Sequence, residues 1–166
     1  MTEDEWKERD ADLLRRAFDV ARAARAGGDH PFGALLAGPD GAVLRTQGNG
    51  FTSEGRDRTA HAERLLASWA AKAHGPEWLA DCTLYTSAEP CAMCAGAIYW
   101  AGIGRVVYGQ SEKDLKAATG AHEENPTLDL SCRVVFEAGQ RPTIVVGPLL
   151  AAEAAELQRG YWDRDA

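Results

Sequence analysis

The sequence predicts a three-layer α/β domain in which helices cover both faces of a mixed five-stranded sheet. Three observations carry this. Helical and strand-like patterns alternate in the order α-β-β-α-β-α-β-(α)-β-α. The composition, 45% hydrophobic and 26% charged, is that of a globular chain able to bury a core. No repeat, low-complexity tract or linker divides the 166 residues, so 1–166 is treated as one domain.

From about Asp4 to Ala26, Leu13, Leu14, Ala17, Phe18, Ala21 and Ala24 recur at three- and four-residue steps, giving an amphipathic helix that Gly27-Gly28 ends. Residues 33–37 and 42–46 flank the turn tripeptide Pro39-Asp40-Gly41 and read as a β-hairpin. Thr59 to Ala73 is helical, with Leu65, Leu66, Trp69 and Ala73 on one face. His74, before Gly75-Pro76, suits that helix's C-terminus. Cys82–Thr86 is a short strand, a helix follows from Cys91 to Ala101, and Arg105–Gly109 is another strand. Residues 110–130 are irregular or partly helical. Val134-Val135-Phe136 and Thr143–Val146 read as strands, and Pro148 opens a last helix through about Gln158.

The net charge of -7 argues against broad capture of nucleic acid, which needs clustered Lys and Arg. The acidic N-terminus lacks a secretory layout, and the longest apolar stretch, Ala92 to Ile103, is too short to span a membrane. A cytoplasmic location follows as the default. There, Cys82, Cys91, Cys94 and Cys132 read as thiols or metal ligands rather than disulfides. Cys82 and Cys132, each placed on a strand, read as small buried hydrophobes.

Two segments carry chemistry: His61-Ala62-Glu63 and Pro90-Cys91-Ala92-Met93-Cys94. Cysteines three apart put both sulfurs on one side of a helical turn. With His61 they supply three ligands to one Zn²⁺ per subunit and leave the fourth tetrahedral position to water, the layout of a catalytic site. Residues two apart do not share a helix face, so His61 and Glu63 reach one centre only if it lies beyond the helix N-terminus. Cys91, after Pro90, also stands at a helix start, and two such termini favour thiolates at their meeting point. Two thiolates mute the Lewis acidity of zinc, which gives Glu63 a task as the base that moves protons. Taken alone, C-x-x-C fits a structural zinc site or a redox pair. In this order with H-x-E it matches the zinc deaminase pattern, and Glu63 has no use in a purely structural, zinc-stapled interaction domain.

From about Asp29 to Gly109 the chain resembles the cytidine deaminase superfamily, most closely its guanine deaminase and nucleoside deaminase branch. The resemblance rests on His30-Pro31-Phe32-Gly33-Ala34, Asn49, Thr59–Glu63, Thr86–Cys94 and Gly96-Ala97-Ile98-Tyr99-Trp100. It implies a cytidine-deaminase-like fold and a homodimer, for which Trp69 and Trp78 could serve as core or interface. It implies that Phe32 and Trp100 line or stack on the base, that Asn49 hydrogen-bonds it, and that the Ala62 amide completes the pocket. The sequence departs from the pattern with Arg58 where proline is common. Beyond Gly109 similarity thins: Asp114, Glu123 and Glu124 are candidate specificity carboxylates, and His122 stands where one is expected. Tyr161-Trp162 reads as an aromatic lid or a terminal anchor, Glu89 as near the site through its backbone, and His30 as bonding locally around Pro31.

The leading functional reading is hydrolytic loss of an exocyclic amine from a free nucleobase or nucleoside, guanine or a related aminopurine first, within purine metabolism. In this reading hydroxide attacks the amine-bearing ring carbon, while Glu63 protonates the adjacent ring nitrogen and then the departing amine. A cytidine or adenosine deaminase of broad specificity is the alternative. RNA editing is disfavoured by the acidic balance and the mixed tail Arg159, Asp163, Arg164 and Asp165.

Overall fold

The first helix, α1 (Glu3–Ala26), is set at its N-terminus by a capping box between Thr2 and Glu5, and it buries Leu13, Leu14, Ala17, Phe18 and Ala21. The computed structural model describes residues 1–163; Arg164 and Asp165 of the mixed tail lie outside the described residues. Strands β1 (Gly33–Ala37) and β2 (Val43–Gly48) form the predicted hairpin. Helices α2 (Ala62–Ala73) and α3 (Pro76–Leu79) lead into β3 (Thr83–Ala88). Helix α4 (Ala92–Ala101) then crosses to β4 (Arg105–Gln110), followed by α5 (Glu112–Thr119), α6 (Cys132–Glu137), β5 (Ile144–Val146) and α7 (Ala151–Glu156).

The sheet order is β2-β1-β3-β4-β5. β1 is antiparallel to β2 and β3, whereas β3, β4 and β5 run parallel, so the sheet is mixed as expected. Strand alternation divides the core into two layers. Leu36, Leu84 and Val106 face a cluster with Leu66, Ile98 and Phe136 of α2, α4 and α6. Leu35, Tyr85 and Val107 face Leu14, Phe18 and Ala154 of α1 and α7. Gly33 is required at the first strand, because a Cβ there would lie 2.3 Å from the backbone nitrogen of Ala21. Behind the sheet Asp10 accepts from Tyr85 and pairs through both oxygens with Arg105, which ties α1 to β3 and β4.

Three expectations need correction. Val134-Val135-Phe136 lies in helix α6, not in a strand: Ser131 caps its first turn, and Cys132 and Phe136, four apart, are its buried residues. Cys132 is therefore buried, but at a helix start. The final helix begins at Ala151 and ends at Glu156, later and sooner than Pro148 and Gln158 suggested, because Leu150 takes a left-handed conformation at the boundary. Cys82 lies just before β3 rather than in it, and α3 was not foreseen. Trp69 packs on the core while Trp78 is 40% exposed. No helix among the described residues is long and apolar enough to cross a membrane.

Candidate active site and metal centre

Two helices begin at one point. His61 is the N-cap of α2 and Cys91 that of α4; both have extended backbones, and neither side chain caps its own helix. Each side chain is thus free to leave the helix and meet the other. Cys94 joins them from the first turn of α4. His61 Nδ1 lies 3.5 Å from the Sγ of Cys91 and 3.5 Å from the Sγ of Cys94. Zinc bonds of about 2.0–2.1 Å to nitrogen and 2.3 Å to sulfur span a tetrahedral N···S edge of about 3.6 Å. The trio is therefore already at zinc spacing, and among the described residues this donor cluster has three members. The N-terminal ends of both helices add positive potential where the thiolates gather.

Proton affinities in the trio agree with a cation site. A hydrogen bond from Cys94, ahead of one from His61, draws Cys91 down to about 4, and Cys94 is pushed well up by that same bond and by burial. Burial opposes charge on His61, but the bond to Cys91 and the charges of Glu63 and Cys91 outweigh it and raise its pKa. Protons held this way are those that a bound cation displaces.

Glu63, in the first turn of α2, is 5% exposed. Its Oε2 is 3.8 Å from the Sγ of Cys94, and its Oε1 accepts from the Thr86 hydroxyl at 2.6 Å. Thr86 Oγ1 is also 3.0 Å from the Ala88 carbonyl, so its one proton serves two acceptors. Burial, above all, raises the Glu63 pKa, while Thr86 and His61 partly oppose it. The result is a carboxyl group beside the metal ligands that holds its proton more tightly than an exposed glutamate.

His61, Glu63 and Cys91 form the floor of a concave pocket. Its wall includes His30, Phe32, Asn49, Phe51, Arg58, Glu89, Glu112, Leu115, Glu124 and Asn125. Asn49 Oδ1 accepts from the Phe51 amide at 2.8 Å, which commits its oxygen and leaves the NH₂ for a ligand. His30 stacks on Phe51 with ring centroids 4.3 Å apart, and its Nε2 lies 2.9 Å from Glu124 Oε2. Burial lowers the His30 pKa, so the neutral ring donates to the carboxylate. Glu124 in turn is held below its usual range: burial works against it, but the His30 bond and the neighbouring cationic groups, Arg56 at 3.6 Å among them, together outweigh burial.

Glu89 plays a different part from its neighbours. Its Oε1 accepts the Glu112 amide at 3.0 Å and its Oε2 the Cys132 amide at 2.8 Å, which fastens the loop after β3 to the starts of α5 and α6. Glu112 follows the carboxyl end of β4 and is 5% exposed. Burial, then the charges of Cys91, Glu63 and Glu89, push its pKa up to about 9. The helix start favours a carboxylate by only about 0.3–1 kcal/mol, less than burying an unpaired charge costs.

Of the residues singled out from sequence, the structure brings His61, Glu63, Cys91 and Cys94 together and places Phe32, Asn49, Glu89 and Glu124 on the same wall. Ala62 is buried at the first position of α2. Trp100 is a correction: it is 84% exposed near the end of α4 and is no part of the cavity wall. Asp114 and Glu123 are exposed and also stand outside that wall. His122 accepts from the Glu124 amide and meets Trp162 edge-on, behind the wall. Tyr161 and Trp162 are buried against His30, and Trp162 lies 6.1 Å from Phe32, so this segment backs its own chain's pocket as an anchor. Sequence reasoning missed Glu112, Phe51 and the ring contact of His30. Only the rule that ligands gather beyond the carboxyl ends of parallel strands pointed toward Glu112.

Comparison with known proteins agrees with this geometry. The family model for the cytidine and deoxycytidylate deaminase zinc-binding region matches residues 7–110. The chain is 39% identical over 163 residues to a probable cytosine deaminase of Schizosaccharomyces pombe, covering 98% of each. It is 43% identical over 107 residues to guanine deaminase of Bacillus subtilis, covering 64% of this chain and 67% of the relative. A structure solved in complex with 2,6-diaminopurine superposes with a TM-score of 0.75 at 31% identity, over 93% of this chain and 82% of the other. Relatives also include tRNA-specific adenosine deaminases. With three zinc-spaced ligands and a family match across more than half its length, the chain belongs to the cytidine and deoxycytidylate deaminase family and is a zinc-dependent deaminase.

Proposed function

We propose that the protein hydrolytically removes the exocyclic amine of a free nucleobase or nucleoside, with guanine or a related aminopurine first. The observation that carries this is the placement of Glu63 3.8 Å from a zinc-spaced sulfur at the floor of an aromatic-walled cavity. Zinc held by His61, Cys91 and Cys94 supplies Lewis acidity toward water. Glu63 takes one proton from water and delivers it to the ring nitrogen beside the amine, then takes the other from the newly added hydroxyl and delivers it to the departing amine. Water and the C–NH₂ group thereby become a ring carbonyl and ammonia. Thr86 orients Glu63 for both transfers. Phe32 covers a face of the heterocycle, the Asn49 NH₂ donates to its edge, and the Ala62 amide completes the polar contacts. The guanine preference is supported by the Bacillus relative and by the aminopurine bound to the structural neighbour. A pyrimidine substrate is the second reading, favoured by the yeast relative that matches along its whole length.

We also infer a cytoplasmic enzyme, in keeping with four free cysteines, and a homodimer in which the exposed Trp100 has a partner surface to meet. Ammonia release from guanine, adenine, cytosine and their nucleosides, run beside a Glu63→Ala control, tests the activity. Turnover confined to folded tRNA would overturn the small-molecule reading.

A further inference from the structure

Four carboxyl groups line the cavity, and three are already committed. Glu63 accepts from Thr86, Glu89 accepts two backbone amides, and Glu124 is held by His30. Glu112 is the exception. It is 5% exposed on the cavity wall, and its Oε2 is buried with no hydrogen-bond partner. Backbone geometry fixes where it stands, since its own amide is tied to Glu89 and the next helical turn is capped by Ser111. Buried polar atoms without partners are rare, and on a side chain that lines a ligand cavity such an atom has the ligand as its natural partner.

We propose that Glu112 is a specificity residue that, as a neutral carboxylic acid, reads an N–H beside a C=O on the substrate ring. The inference rests on the reading that the pocket holds a nucleobase. The chemistry follows from the surroundings. An ionised carboxylate demands donors or a cation, and none joins Glu112 Oε2. Burial and the neighbouring carboxyl groups, Glu89 among them, oppose a negative charge there. A carboxyl group that keeps its proton presents an O–H donor and a C=O acceptor side by side. Its complement is a lactam edge, where two hydrogen bonds close a ring. Guanine has such an edge at N1–H and the 6-oxo group, next to the amine-bearing carbon, and free cytosine at N1–H and the 2-oxo group, across the ring from it. Cytidine and adenosine have no such edge, because ribose occupies N1 in the first and the second has no ring carbonyl. Glu112 thus selects lactam-bearing bases, whether purine or pyrimidine, over those nucleosides.

The test is equilibrium binding to zinc-loaded protein carrying Glu63→Gln, so that nothing is turned over. The ligands are two pairs: cytosine with 4-aminopyrimidine, and guanine with 2-aminopurine. The second member of each pair keeps the reacting amine and loses the lactam. Adding Glu112→Leu is expected to weaken cytosine and guanine at least tenfold and to leave 4-aminopyrimidine and 2-aminopurine unchanged. Glu112→Gln, which also offers a donor beside an acceptor, keeps the lactam preference. Zinc content and melting temperature establish that each variant is folded, and Glu112→Ala replaces the leucine variant if that one is not. The proposal is overturned if the apolar variant binds all four ligands as its parent does, if it weakens both members of a pair equally, or if glutamine behaves as leucine does. Failure of every base to bind the Glu63→Gln protein would instead remove the nucleobase reading itself.

Discussion

The two sides of the pocket are built in opposite ways. The metal side, residues 61–63 and 86–94, comes from two short segments whose helices start at a common point. The mouth side is assembled from His30, Phe51, Glu112, Glu124 and the backing pair Tyr161-Trp162, which are scattered along the chain. A ligand set spaced by two or three residues is dictated by local backbone geometry, so it leaves a motif. A wall gathered from distant loops leaves none. The donor cluster is therefore concentrated on one side of the pocket and the scattered wall on the other, with Glu89 fastening the two together.

Substitutions sharpen or break this contrast. Glu63→Gln has the largest expected effect, a fall in kcat of about 10²–10⁴-fold with zinc content unchanged, measured by ammonia release and metal analysis. Full activity with zinc retained would end the division of labour. Glu89→Ala strands two buried amides and is expected to cost about 3–5 kcal/mol in chemical denaturation, as hydrogen bonds to a charged group are worth about 1.5–3 kcal/mol each. If the two sides are independent, that loss will not appear. Trp162→Ala empties the space behind His30 and Phe32 and is expected to cost about 3 kcal/mol and to raise KM more than it lowers kcat.

A subtler change comes with pH. Glu112 has a folded pKa of about 9 against an ordinary 4.5, so between those values the folded state binds the extra proton. Its contribution to stability is complete below pH 4.5 and is lost as pH rises through about 9. Glu112→Gln does not titrate, so its stability relative to the parent should increase from pH 5 to pH 8.5 in urea titrations. A constant difference would show that Glu112 is ionised throughout. Trp100→Ala is expected to have the smallest effect on the protomer, within about 0.5 kcal/mol, because the side chain is 84% exposed. A change in melting temperature that grows with protein concentration would show instead that this residue meets a second copy.

Particular residues show where sequence reading reached its limit. The alternation at Val134-Val135 suggested a strand, yet Ser131 and the i,i+4 pair Cys132 and Phe136 made it helix α6, since burial against α4 outweighed β propensity. Trp100 was placed at the base by the family resemblance, but it sits near the far end of α4, more than one turn beyond the metal end. Glu124 was one of several carboxylates in a segment without periodicity, and only its bond to His30, 94 residues away, singles it out.

The sequence by itself determined the three-layer architecture, the cluster of His61, Cys91 and Cys94 and the glutamate beside it. Periodicity and short spacings are properties of the local backbone, and a chain carries them before it folds. Tertiary structure alone decided which carboxyl groups line the cavity and how their proton affinities shift. Burial and the company of distant charges set those, and both exist only once strands β3 and β4 lie side by side and the tail has packed behind His30.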